Sequence, residues 1–227
     1  MPRLLILLIF FVAGYAQAET VAVIGTGNVG MAIGTEMAGL GHKVIYGSRS
    51  PLSIKTLDLV SKTGNGASAA LPVEAAADAD VVVLAVPGMV TGTVAKNLGD
   101  LSGKLIIDAT NPLDVIGEGP QFDYGVPTSN GQIVQALHPD AHVVKAFNTI
   151  TWQQMIDPGR PKPVMPLAGN SAEAKSRVAG WVQAMGIDTV DIGGIQHARV
   201  TEQMVVLMLN NRFADEPKYA IEFRKID

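Results

Sequence analysis

Short apolar runs alternate with longer, helix-patterned ones along most of this chain. Thr20 to Ile24 is a β-branched run that stops at a glycine, and it reads as a buried strand. Gly27 to Leu40 reads as a helix with small residues on one side, closed by Gly41. Lys43 to Tyr46 reads as a second strand, and Leu52 to Lys62 as a helix with Ser53 as its N-cap. Gly64 to Ala67 has no periodicity, and Val73 to Ala79 is a short Ala-rich helix. Val81 to Val86 is the strongest strand and ends at Pro87. Val90 to Leu98 follows as a helix, then Lys104 to Asp108 as a strand ending at Asn111-Pro112.

Leu113 to Asn130 is rich in Gly, Pro and Asp and predicts a long loop of the functional kind. Gln132 to Leu137 is helical, and Val143 to Phe147 and Val164 to Ala168 are strands. Ala172 to Met185 is a helix, Thr189 to Ile192 a strand, and Ala198 to Phe213 a long final helix. Strands that alternate with helices and are apolar on both faces belong to a parallel sheet covered on both sides. The expected architecture is α/β: a Rossmann-type, doubly wound, mainly parallel sheet. Ligands of such sheets bind at the carboxyl ends of the strands, here Gly25, Gly47, Pro87, Thr110 and Asn148.

The first residues break this pattern. Met1-Pro2-Arg3 is weakly basic, Leu4 to Ala13 is unbroken apolar sequence, and Ala16-Gln17-Ala18 offers small residues where a signal peptidase reads. Residues 1–18 are expected to be a secretory signal peptide, too short for a comfortable membrane span. Residues 19–227 are then a single domain, periplasmic or secreted, with no stable span after cleavage. A hydrophobic first element, an uncleaved anchor and a cytoplasmic location are the alternatives. Of the 227 residues, 48% are hydrophobic and 17% charged, which predicts a well-buried globule. A net charge of −4 without a basic run argues against nucleic acid as a partner. The absence of cysteine removes disulfides and thiol nucleophiles together.

The candidate chemistry starts at the first strand's end. Gly25-Thr26-Gly27-Asn28-Val29-Gly30 matches GxGxxG, directly after a strand and opening a helix. Gly25 permits the tight turn, Gly27 lets a pyrophosphate approach the backbone, and Gly30 lets helix and strand pack closely. The helix N-terminus offers free N–H donors to the phosphates. The second strand ends in Tyr46-Gly47-Ser48-Arg49-Ser50, without the carboxylate that would accept hydrogen bonds from an NAD ribose. Ser48 and Arg49 suit a 2′-phosphate instead, which points to NADP(H).

These segments, together with Ala85-Val86-Pro87, resemble the NADP reductases that use the deazaflavin coenzyme, and their broader NADP-oxidoreductase relatives. Asp108-Ala109-Thr110-Asn111-Pro112, Lys145-Ala146-Phe147-Asn148-Thr149, Ala168-Gly169-Asn170 and Asp191-Ile192-Gly193-Gly194 sit in the matching order. The likeness covers nearly everything after Ala18; it is looser to pyrroline-carboxylate reductases and to the reductase domain of membrane metalloreductases. It implies direct hydride transfer between NADP(H) and a deazaflavin or flavin-type partner. It also implies that Gly25, Thr26, Gly27, Asn28 and Val29 hold the pyrophosphate and Ser48 and Arg49 the 2′-phosphate. Val86, Pro87 and Ala146 would lie beside the ribose and nicotinamide. The chain departs from the deazaflavin enzymes at Phe147-Asn148-Thr149, where a His precedes the Thr, and in the loop after Asn111.

The histidines do not form a metal site on sequence grounds: His138 and His142 are four apart, but Pro139 between them denies a regular helix. Asn148, Thr149 and His197 are the candidate catalytic residues, should a proton donor be needed. The last helix is apolar nearly all round, so it is buried in the subunit or packs on another copy, and a homo-oligomer is expected. Two other functions remain open. One is reduction of a small imine or carbonyl; the other is an NADP(H)-binding sensor or partner module without turnover.

Overall fold

A computed structural model describes residues 18–116, 121–213, 221 and 223. The leader read over residues 1–18 lies, apart from Ala18, outside them. The first half runs β1 (Thr20–Ile24), α1 (Asn28–Gly39), β2 (Lys43–Gly47), α2 (Ile54–Thr63), β3 (Ser68–Ala70), α3 (Pro72–Ala77) and β4 (Val81–Leu84). Then come α4 (Thr91–Lys96), β5 (Leu105–Asp108), β6 (Leu113–Ile116), β7 (Gln121–Tyr124), α5 (Asn130–Leu137) and β8 (His142–Lys145). The chain continues through α6 (Trp152–Ile156), β9 (Val164–Gly169), α7 (Ala172–Ala184), β10 (Asp188–Asp191) and α8 (Ala198–Phe213).

The strand pattern explains the sheet. Val21 and Val23 of β1 and Val81 and Val83 of β4 face one core, with Ile33 and Met37 of α1 and Val178 of α7. Ala22, Ile24, Val82 and Leu84 face the other, with Ala75 and Ala76 of α3 and Val134 of α5. Both faces of each strand are covered, so the sequence runs are continuous rather than alternating. The 8-stranded sheet has the order β10-β9-β8-β5-β4-β1-β2-β3. Its pairs are parallel except β8 with β9, which is antiparallel. The chain winds outward from β1 through β2 and then back through β4 in the other direction. The β1/β4 boundary is therefore the switch point, where loops leaving the carboxyl ends diverge and open a crevice.

Three expectations need correction. The loop expected from Leu113 to Asn130 contains a hairpin, β6 paired antiparallel with β7 in the register Leu113 to Tyr124. Its polar composition hid two strands that lie outside the main sheet. β3 is a three-residue edge strand, too short to show a period. The short helix α6 had no expected counterpart, although its start is written in Thr151 and Gln154, which form a reciprocal capping box. The last helix is buried within the subunit along one side only. Thr201, Glu202 and Val205 are buried, whereas Val200 and Leu207 are more than half exposed.

A small cluster clamps the beginning of β1. The Glu19 backbone N–H donates to His42 Nδ1 at 3.2 Å, and Arg177 of α7 pairs with the Glu19 carboxylate. The guanidinium lies 5.2 Å from the Trp181 ring centre, and the buried His42 ring meets the same indole edge-on at 5.2 Å. Burial pushes the His42 pKa down; Glu19 opposes that shift and Arg177 adds to it. A depressed native pKa means that the unfolded chain binds the proton more readily. Stability from this group is thus complete above the ordinary value of 6.5 and is lost as pH falls through it. The expected result is a urea midpoint that drops between about pH 7.5 and pH 5.5, and drops less in His42→Gln. Identical slopes for the two proteins would refute this assignment.

Candidate functional site

The turn after β1 is shaped by the absence of side chains. Gly25 has φ +122°, and a Cβ there would strike the Ala85 carbonyl at the end of β4. A Cβ on Gly30 would strike the Gly25 carbonyl, so this glycine sets how closely α1 approaches the strand. Gly27 differs: a Cβ on it would meet nothing within 4 Å, so the space in front of it is open. Gly27 is also the N-cap of α1 and offers no side-chain acceptor, and the first turn holds no acidic residue. The leading N–H groups of α1 therefore face that space without an anion of the chain's own.

At the end of β2, Ser48 is buried and Arg49 is exposed. Ser48 Oγ accepts from the Ser50 N–H at 3.1 Å and sits 3.3 Å from Thr56 Oγ1. Ser53, the expected cap, does cap α2 through the Thr56 N–H. The loop is thus preformed around a hydroxyl, with a guanidinium that pairs with no carboxylate among the described residues. That donor set, without an acid, suits a phosphate dianion.

Beside the turn lies a mostly apolar cavity of about 660 Å³. Val29 of α1 borders it, with Asn111 after β5 and Asn148 and Thr149 after β8. Trp152 of α6 and Val205, Met208, Leu209 and Arg212 of α8 form its other walls. Asn148 and Thr149 are only 5% and 6% exposed, yet Asn148 Oδ1 and Thr149 Oγ1 have no hydrogen-bond partner among the described residues. Unpaired buried polar atoms are rare and expensive, so two adjacent ones at a cavity wall fit a ligand that satisfies them. The amide of Asn148 is itself held: its Nδ2 donates to Asn111 Oδ1 at 3.1 Å, and Asn111 Nδ2 donates to the Asn148 carbonyl at 3.1 Å. Phe147, fully buried, takes φ +64°, an unusual value for a bulky residue, and so turns the chain where Asn148 follows.

Behind this wall sits a fully buried ion cluster. Lys145 Nζ reaches Asp108 Oδ2 at 2.8 Å, Glu202 Oε1 at 2.6 Å and the Thr110 carbonyl at 2.5 Å. Asp108 Oδ1 accepts from the Thr110 N–H and hydroxyl. Glu202 Oε2 accepts from Tyr124 at 2.7 Å and from the Asn130 N–H at 3.1 Å, at the start of α5. Burial, then the Glu202 carboxylate, pushes the Tyr124 phenol well above its ordinary range, while the Arg199 cation opposes the shift. Asn130 Nδ2 ties in the Gly88 carbonyl and the Thr91 and Thr110 hydroxyls. The ends of β4, β5 and β8 are thereby locked together beneath the cavity.

The structure brings Gly25, Thr26, Gly27, Asn28 and Val29 together at one turn, with Ser48 and Arg49 at the end of the adjacent strand. Val86 and Pro87 follow β4 on the other side of the switch point. Ala146 lies wholly in the core, and the groups that open to the cavity after it are Asn148 and Thr149. His197 is exposed on a short 3₁₀ turn and does not line the cavity. The sequence reading missed Lys145, Asp108, Glu202, Tyr124 and Asn130. Their visible signal was a charged residue in each of two otherwise apolar strand runs, Asp108 and Lys145.

Two variants test the dinucleotide half. Arg49→Ala is expected to weaken NADPH binding by about 1.5–3 kcal/mol, with NADH binding little changed. Equal losses for both nucleotides in calorimetric titration would remove the 2′-phosphate assignment. Gly27→Val fills only open space in the protein, so it should fold normally and bind little of either dinucleotide. Retained affinity there would reduce the motif to a structural turn.

Residues 20–112 match the family model described as NADP oxidoreductase, coenzyme F420-dependent. The chain is 28% identical over 204 residues to the F420-dependent NADP reductase of Methanothermobacter thermautotrophicus, covering 84% of this chain and 88% of that one. It is 28% identical over 194 residues to rat metalloreductase STEAP3, covering 85% of this chain but only 38% of that longer protein. A crystal structure of a protein provisionally described as an F420-dependent NADP-reductase, from Arthrobacter sp. FB24, superposes with a TM-score of 0.78 at 31% identity. That match covers 85% of this chain and 93% of the other. An Aspergillus terreus reductive aminase in complex with NADPH, 20% identical, shares the fold with a TM-score of 0.64 over 87% of this chain and 63% of the other. With a glycine turn, an acid-free second strand and a cavity bordering that turn at Val29, the chain belongs to the coenzyme F420-dependent NADP oxidoreductase family and is an NADP-dependent oxidoreductase.

Proposed function

We propose that the protein exchanges a hydride between NADP(H) on the glycine turn and a deazaflavin-type partner in the 660 Å³ cavity. The observation that carries this reading is the cavity itself: it begins at Val29 on the nucleotide turn and ends at the unpaired Asn148 Oδ1 and Thr149 Oγ1. NADPH supplies the hydride when bound; the chain's residues bind, orient and exclude water. The α1 N-terminus receives the pyrophosphate, while Ser48 and Arg49 receive the 2′-phosphate. Asn148, held by Asn111, presents a fixed acceptor to an amide or ring N–H. Trp152, Met208 and Leu209 give a planar ring an apolar wall and keep water from the reacting atoms. Among the described residues, Arg212 is the one charged side chain on the cavity wall, and no carboxylate or imidazole lines it, which suits a transfer between two cofactors that carry their own chemistry. The names of the F420-dependent relatives support the same partner class.

A second reading is favoured by one atom. Thr149 Oγ1 is a buried hydroxyl without a partner among the described residues, and it would donate to a small carbonyl or imine nitrogen in the same cavity. One experiment separates the two. Anaerobic NADPH oxidation is followed with a deazaflavin, with a flavin and with a panel of small imines and carbonyls. The proposal expects oxidation by the deazaflavin in one-to-one stoichiometry, and Thr149→Val should retain that rate within about tenfold. If small imines or carbonyls react instead, and Thr149→Val loses that reaction, the second reading replaces it. Tight NADPH binding with no turnover by any of them would leave a binding module and refute both.

A further inference from the structure

The last helix reaches the cavity by way of the buried ion cluster. Glu202, Val205, Leu209 and Arg212 follow one another at steps of three, four and three residues, so they share one face of α8. The first is fully buried against Lys145, and the other three line the cavity. At ~1.5 Å per residue, Leu209 stands roughly 10 Å and Arg212 roughly 15 Å beyond that anchor. A tilt of roughly 10° about Glu202 would displace Leu209 by nearly 2 Å. Hydride transfer does not tolerate such a shift, because an error of ~1 Å in placing the reactants lowers rate by up to ~100-fold.

The anchor holds the helix in more than one direction. Glu202 Oε1 takes the Lys145 ammonium, which is itself fixed by Asp108 and by the Thr110 carbonyl. Glu202 Oε2 takes the Tyr124 hydroxyl from the β6–β7 hairpin and the Asn130 N–H from α5. The groups that face Glu202 thus come from β5, β7, β8 and α5, and Arg199 stacks 5.9 Å from the Tyr124 ring on the solvent side. Thr110 precedes Asn111, and Lys145 lies three residues before Asn148, so the cluster also grips both strand ends that form the opposite cavity wall. One carboxylate therefore registers the α8 wall against the nicotinamide end of the nucleotide site.

We propose that Glu202 is a positioning residue for hydride transfer, acting through the placement of α8 rather than by touching either reactant. The inference rests on the cavity being the place of the second reactant. It assigns no proton transfer to Glu202 and no dinucleotide contact to Lys145. Replacing Glu202 by Gln leaves Lys145 paired with Asp108, a neutral pair, and removes the charged tether while keeping one acceptor oxygen; its NADPH dissociation constant reports whether the nucleotide half remains folded.

The test uses the full chain, saturated with NADPH, as wild type, Glu202→Gln and Glu202→Asp. For Glu202→Gln the dissociation constant for NADPH should stay within about twofold, while kcat for oxidation by the deazaflavin falls at least about tenfold. Glu202→Asp keeps the charge and should recover part of that loss. A second readout needs no turnover. In a Trp181→Phe background the remaining tryptophan is Trp152, on the cavity wall, and its quenching by acrylamide should rise in Glu202→Gln and fall back toward wild type in Glu202→Asp. Unchanged kcat and unchanged quenching would overturn the proposal. So would a loss of NADPH affinity in step with kcat, which marks a general structural role. If wild type oxidises no NADPH with the deazaflavin, the partner assignment fails by itself, and the Trp152 readout alone decides the role of Glu202.

Discussion

A fully buried lysine ammonium must place its hydrogens on acceptors, and Lys145 places them on Asp108, Glu202 and the Thr110 carbonyl. Those acceptors belong to strands and a helix far apart in sequence. Satisfying one cation therefore forces the carboxyl ends of β5 and β8, the hairpin ending in Tyr124, and the last helix into a single arrangement. A buried ion pair adds little net stability compared with apolar packing of the same volume, because desolvation offsets the attraction. What it adds is geometric selectivity, since an apolar contact tolerates sliding and a fully hydrogen-bonded network does not. The cavity stands directly on this network, and its two unpaired polar atoms follow Lys145 by three and four residues.

The nucleotide half obeys a different constraint. There the chain leaves space rather than filling it: an open volume in front of Gly27, an uncapped helix start, and a guanidinium with no carboxylate partner among the described residues. Each would be a fault in a purely structural domain. Together they describe a surface completed by a polyanion, consistent with an NADP-dependent oxidoreductase. The two halves meet at Val29, which belongs to the glycine turn and also borders the cavity. On the proposed reading, a dinucleotide held at that turn would reach the apolar chamber, where exclusion of water would strengthen each remaining polar contact.

Relatives with different stated activities share this framework. The archaeal reductase aligns along most of its length, while the rat metalloreductase aligns over 38% of its own. The alignments span 84% and 85% of this chain, so the likeness reaches past the dinucleotide turn to the elements that close the cavity. In this chain that closure comes from α6 and α8, with Ile221 at its edge. Specificity would accordingly change through Trp152, Met208, Leu209 and Arg212 sooner than through the glycine turn.

Local physics made the first half of the chain readable. The β-branched runs of β1 and β4, the glycines at 25, 27 and 30, and the acid-free Ser48-Arg49 pair act within a few residues of one another. The βαβ unit, the doubly wound sheet and the nucleotide turn follow from that spacing alone. The hairpin at 113–124 was hidden because its strands pair with each other outside the main sheet, and α6 because a five-residue helix carries almost no period. The resemblance alone put Ala146 beside the nicotinamide; in the fold it is wholly buried, and the left-handed Phe147 turns the chain so that Asn148 and Thr149 open to the cavity. The convergence of Asp108, Tyr124, Asn130, Lys145 and Glu202 was invisible for a more basic reason. Sequence records which residues are charged, but a buried charge chooses its partners through space, and only the folded chain brings Lys145 within 2.6 Å of a carboxylate 57 positions away.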